Sequence, residues 1–212
     1  MNKIGIAIKM SEPVKKRGRP RTMDKDAALE TAVRLFWERG YEGTSIADLT
    51  SAIGITPPSL YATFGSKEEL FKQALDLYVA RETTKRHEML EEAPSAYAAI
   101  EFYLSDAARS ATQAGCPSGC AIANAVLQHA EENASVAEGV AERRRAAYEA
   151  LQRRFERAIE DGELPEGTDA RGLGRFYAAV VQGMAAQACD GACRETLGEI
   201  IKVALNAWPG KR

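Results

Sequence analysis

Apolar residues recur along this chain at the three-and-four spacing of helices, and sustained two-residue alternation is absent. The first such stretch runs from about Asp24 to Arg39, with Leu29, Ala32, Val33 and Phe36 on one face and Gly40 as its stop. A short helix follows Thr44 and Ser45, turns Ile46, Leu49 and Ile53 inward and breaks at Gly54. Thr56 caps a second short helix with Pro57 in its first turn, where a missing N–H costs nothing, and Phe64-Gly65 ends it. Ser66-Lys67-Glu68-Glu69 is a capping-box pattern that opens a long helix with Leu70, Phe71, Ala74, Leu77 and Tyr78 inward. Beyond Pro94 the pattern predicts helices over about 95–113, 118–130, 134–161, 169–189 and 193–207. The expectation is an all-α fold of about nine helices.

The two short helices meeting at Gly54 have the form of a helix-turn-helix. Ile46, Leu49, Ile53, Leu60 and Phe64 can pack on the first helix. The second helix then exposes Thr56, Pro57, Ser59, Tyr61 and Thr63, a neutral hydrogen-bonding surface that suits a major groove about 12 Å wide. Helix pairs of this length also occur in bundles that bind no DNA.

Charge sharpens the picture. The 212 residues carry a net charge of −2, yet residues 1–25 hold eight basic and two acidic side chains. A +6 arm thus precedes a −8 body, which points one end at a polyanion. Arg17-Gly18-Arg19-Pro20-Arg21 resembles an AT-hook core, whose extended arginines enter a narrow A·T-rich minor groove. A flexible lead-in making nonspecific phosphate contacts is the other reading.

The segment Ala32-Val33-Arg34-Leu35-Phe36-Trp37-Glu38-Arg39-Gly40-Tyr41-Glu42-Gly43-Thr44-Ser45, with Leu60-Tyr61-Ala62-Thr63-Phe64-Gly65-Ser66-Lys67-Glu68-Glu69-Leu70-Phe71, resembles the TetR family of bacterial regulators. The resemblance implies a homodimer with a three-helix DNA-binding head, a helical body holding a ligand pocket, and repression relieved by a small molecule. It divides the chain into a basic arm (1–22), a helix-turn-helix domain (23–68) and a ligand-binding and dimerisation domain (69–212). The candidate DNA contacts are Arg17, Arg19, Arg21, Thr44, Ser45, Thr56, Pro57, Ser59, Tyr61, Thr63 and Lys67. Tyr61-Ala62-Thr63 departs from the two tyrosines and histidine common in the family, and Pro57-Pro58 from a common Lys-Gly. Fewer phosphate contacts are then available to the head alone.

By the same resemblance the last two helices pair with their twofold mates, so the operator should be palindromic double-stranded DNA. Their apolar faces nominate Phe176, Val180, Met184, Leu197, Ile201, Leu205 and Trp208 for the dimer interface. Ligand candidates on the middle helices are Phe102, Tyr103, Cys120, Asn124, Gln128, Tyr148 and Tyr177; nothing in the sequence names the effector.

Cys116/Cys120 and Cys189/Cys193 leave a choice. They are buried small hydrophobes, or they make the protein a redox- or metal-responsive regulator, or they serve a thiol-based enzyme. Cys120 and Cys193 are expected near helix N-termini. C-x3-C lacks the specificity of paired C-x2-C zinc motifs, and two histidines are too few for a histidine-rich site, so no metal is assigned. No phosphate loop, dinucleotide fingerprint or nucleophile elbow is present, so neither an enzyme nor a cofactor is expected. No apolar run reaches about 18 residues, which predicts a cytoplasmic protein without a membrane span.

Overall fold

Asp24 starts the first helix of the computed structural model, which describes residues 24–123, 125–126 and 129–210. The Asp24 carboxylate accepts the N–H groups of Asp26 and Ala27 and opens α1, Lys25–Arg39. Gly40, at φ 73°, ends it. α2 spans Ile46–Ile53 behind a capping box in which Ser45 and Asp48 serve each other's backbone N–H. Gly54 then takes a left-handed turn into α3, Pro57–Phe64. The predicted Ser66–Glu69 capping box opens α4, Lys67–Glu82.

Two expectations fail in instructive ways. The long fourth helix divides at Thr83, and a separate α5 spans Thr84–Glu92. The Thr83 hydroxyl donates to the Val79 carbonyl at 2.9 Å, a local bond that competes with helix propagation. The change of direction turns Arg86 inward, where its Nε reaches Asp106 at 3.1 Å. The second correction concerns 118–130, whose described residues form turns and irregular backbone rather than a helix. Pro117 and Gly119 (φ 82°) set its start, and Val126 at φ 48° interrupts it again. Arg144 from a later helix also claims the carbonyls of Ile122 and Ala125, at 3.2 and 2.9 Å.

The remaining body helices are α6 (Ala96–Ala111), α7 (Ala134–Glu160, behind a 3-10 turn at Glu131–Asn133), α8 (Ala170–Cys189) and α9 (Arg194–Asn206). Among the described residues the fold is all-helical, with nine α-helices. Gly174 lets α8 lie against α7, since a Cβ there would sit 3.1 Å from the Tyr148 carbonyl oxygen and the Gln152 nitrogen.

Two apolar clusters organise the chain. The first joins α1–α4, with Phe71 edge-on to Phe36 (5.0 Å) and Trp37 edge-on to Tyr78 (5.0 Å). It also draws in Ala121, Ala125, Val136 and Val140, so the segment after α6 is packed on the head. The second joins α5–α9, where Tyr177 stacks on Phe155 and donates its hydroxyl to Ala204 O at 3.1 Å. Burial pushes the Tyr177 phenol up to about 12, so it remains a neutral donor. Each fully buried Leu or Phe contributes about 1.5–3 kcal/mol of burial, which the neutral, hydrogen-bonded Tyr177 joins without loss.

Candidate DNA interface and body cavity

α3 is pinned by Leu60 and Phe64, both buried, and turns its other side to solvent. Pro57, Pro58, Ser59 and Ala62 are exposed there, and Tyr61 is 48% exposed. Thr56 and Ser59 share a hydroxyl contact of 3.0 Å, while Thr63 bonds the Ser59 carbonyl at 2.9 Å. No side chain caps the α3 N-terminus, so its positive end stays open to an anion. The result is a rigid, uncharged, donor-bearing ridge. Lys25, which lies 5.8 Å from the Phe64 ring, adds a cation beside it that the sequence reading counted only as arm charge.

Other predicted contacts lie elsewhere. Thr44 is wholly buried and donates to Gly40 O at 2.7 Å, so the structure places it inside the head rather than on its face. Ser45 serves as the α2 cap. Lys67 is half-buried with its ammonium 4.2 Å from the Tyr41 ring; burial lowers its pKa, against the opposing pull of Glu42. Arg17, Arg19 and Arg21 fall outside the described residues.

In the body, a cavity of about 140 Å³ opens between α4–α8 and the segment after α6. Val79, Thr83, Arg86 and His87 form one wall, Ala147, Ala178 and Val181 another, and Cys120, Ile122 and Ala123 a third. Its cations are already engaged. Arg86 pairs with Asp106 and stacks on Tyr103 at 5.5 Å, and Arg144 holds its two carbonyls. Burial, then Arg86 and Arg153, lower the His87 pKa, which leaves the imidazole neutral at pH 7. The walls are therefore mostly apolar.

Of the sequence candidates, Tyr103 and Cys120 meet at this cavity. Phe102 lies outside it with Lys85 5.7 Å from its ring, and Tyr148 sits beneath Arg175. Tyr177 belongs to the core, and Asn124 and Gln128 fall outside the described residues. The wall residues Val79, Thr83, Arg86 and His87 were missed, although their spacing puts them on one helical face.

Cys120 is not at a helix N-terminus as expected, because the 118–130 helix does not form. Cys193 is, as the cap residue of α9. Cys189 bonds the Ser118 carbonyl at 3.4 Å. Among the described residues, no three His, Cys, Asp or Glu side chains converge on a metal position. On α8, on α9 and just after it, Met184, Leu197, Ile201, Leu205 and Trp208 are buried within the chain's own core, not on a face open to a second copy. Phe176 (42% exposed) and Val203 (70%) face outward, with Val180 half-buried between the two extremes. No helix among the described residues is long and apolar enough to cross a membrane.

Comparison with known proteins places this geometry. Residues 28–74 match the model of bacterial regulatory proteins of the tetR family, and residues 96–195 that of the tetracyclin repressor-like C-terminal domain. The HTH-type transcriptional repressor ComR of Escherichia coli (strain K12) is 36% identical over 206 residues, 96% of this chain and 98% of that protein. The uncharacterized HTH-type regulator YezE of Bacillus subtilis (strain 168) is 31% identical over 160 residues, 75% of this chain and 82% of YezE. Among solved structures, a cysteine mutant of the TetR family regulator CifR, complexed with 26-base-pair operator DNA, is 41% identical with a TM-score of 0.87. That match covers 91% of this chain and all of the CifR chain. The chain is thus a DNA-binding transcriptional regulator and belongs to the TetR family.

Proposed function

We propose that this protein is a repressor that binds a palindromic operator as a homodimer and releases it when a small molecule enters the body cavity. The observation that carries the reading is the α3 ridge, neutral and donor-bearing, with Tyr61 exposed on a fixed core. Its likeness to CifR, held in that structure on operator DNA, supports the same use here. Residues 23–68 are the DNA-binding unit in this reading, with Thr56, Pro57, Ser59, Tyr61 and Thr63 presented to the groove. Arg17, Arg19 and Arg21 reach the flanking minor groove.

Residues 69–212 hold the effector and the dimer contact. Phe176, Val180 and Val203 form an outward apolar stripe suited to a second copy. Tyr103 and Cys120 are the effector contacts, in a cavity closed to bulky ligands. The protein acts on DNA in the cytoplasm, without catalysis and without a cofactor.

Selection of DNA bound by the full chain from a random pool tests the reading. A twofold-symmetric site is expected, and failure to enrich any sequence overturns it.

A further inference from the structure

The effector cavity contains one reactive atom. Cys120 Sγ accepts the Tyr78 hydroxyl at 3.5 Å and the Ala123 N–H at 3.4 Å, two donors placed to hold negative charge on sulfur. Cys120 is itself half-exposed, so a reagent can reach it. Across the cavity stands Tyr103, only 4% exposed, whose hydroxyl has no hydrogen-bond partner among the described residues. A ligand oxygen entering the cavity can accept from that hydroxyl. Burial raises the Tyr103 pKa against the opposing pull of Arg86, and the nearby Cys120 sulfur adds a smaller push upward. Nucleophile, idle donor and void thus share one site.

We infer that Cys120 captures small α,β-unsaturated carbonyl compounds covalently, with the Tyr103 hydroxyl receiving the carbonyl oxygen. The proposal deepens the repressor reading by naming the effector's chemical class, and it rests on that reading for the link to DNA release. The Cys120 thiol gives its proton to solvent, and the thiolate attacks the β-carbon to form a C–S bond. The C=C electron pair moves through the carbonyl to leave an enolate oxygen, which Tyr103 holds. A solvent proton then closes the α-carbon. The net change is addition of S–H across the double bond, with no oxidant or reductant.

Size sets a limit. A cavity of about 140 Å³ matches the volume known to take one benzene-sized molecule, so a six-membered enone fits and a fused polycycle does not. The signal has a short route. Cys120, Ile122 and Ala123 line the cavity, whereas the intervening Ala121 packs in the head cluster. Alkylation of Cys120 displaces the Tyr78 hydroxyl, and Tyr78 carries the contact to Trp37 of α1.

The test uses the full chain with Cys116, Cys189 and Cys193 changed to Ser, its selected operator and cyclohex-2-enone. Mass spectrometry should show one reagent mass on Cys120, and the operator should be released. Saturated cyclohexanone should do neither. Tyr103→Phe should slow adduct formation about 10- to 100-fold through loss of the oxygen donor. Methylation of Cys120 by iodomethane, which builds no charge on oxygen, should keep its rate in that variant and so separates positioning from misfolding. No adduct on Cys120, equal release by cyclohexanone, or an unchanged enone rate in Tyr103→Phe overturns the proposal. Adduct mass and rate are read without DNA, so a failure of operator binding is a failure of the repressor reading alone.

Discussion

At the residue scale, the buried charges of the body decide more than their number suggests. Arg86 and Asp106 are both buried, and Asp106 also accepts from Arg109 at 2.8 Å. The Ser110 hydroxyl, 3.5 Å from Arg86, reaches Glu82 of α4 at 3.1 Å. Removing one member of a buried pair strands the other. Asp106→Ala should therefore cost about 3–5 kcal/mol in urea unfolding, well above the cost of replacing Arg86 and Asp106 together by Met and Leu. Equal losses in the single and the double variant would mean that the pair adds nothing specific. The same scale shows what the sequence could not say. Thr44 is a small polar residue beside a predicted recognition element, yet its hydroxyl is consumed by Gly40. Lys67 is basic, yet it lies on Tyr41. The family resemblance marks them as contacts; burial removes Thr44 and partly covers Lys67.

At the element scale, α1, α2 and α3 were legible because apolar period and a glycine stop agree within each stretch, and the start of α4 because its capping box stands in the sequence. The segment after α6 was not. Ala121, Ile122, Ala125 and Val126 mimic a helical face, but Pro117 and Gly119 fix turns, and the segment is divided between the head cluster and the cavity wall. Nor does periodicity see the break at Thr83, which serves the Arg86–Asp106 pair across 20 residues. The seam between head and body is also tied where Glu42 accepts the Ala130 N–H at 3.0 Å and the Asn133 amide at 2.9 Å. Those bonds, the Ala130 N–H foremost, hold the Glu42 pKa below its usual 4.5. The stabilisation is thus complete above the unfolded value and is lost as pH falls through the folded one. Glu42→Gln should be less stable than the parent at pH 7, with the gap closing on acidification below pH 4.5. A gap that persists at low pH would assign the loss to something other than the carboxylate charge.

At the scale of the whole molecule, the chain is a head and a body that share α4 and the segment after α6. A ligand in the body cavity touches the same short segment that packs on α1–α4. The proposed dimer, which reading a palindrome requires, is assigned to the outward stripe on α8 and α9. Val203→Asp places a charge on a residue 70% exposed in the single chain, so the monomer should fold unchanged. Sedimentation should then show monomer where the parent is dimeric, with operator affinity reduced by at least about tenfold through loss of the second half-site. A variant that stays dimeric would move the interface off this stripe.

The central claim, sequence-specific recognition through the α3 ridge, is tested most directly by titrating selected and scrambled duplexes with the parent and with Tyr61→Ala at one salt concentration. The account predicts that the parent prefers the selected site by about 10³-fold or more, and that Tyr61→Ala lowers affinity for that site by about 10- to 100-fold. Binding to the scrambled duplex should not change. If Tyr61→Ala keeps the parent's affinity and preference, α3 does not read the operator through this ridge.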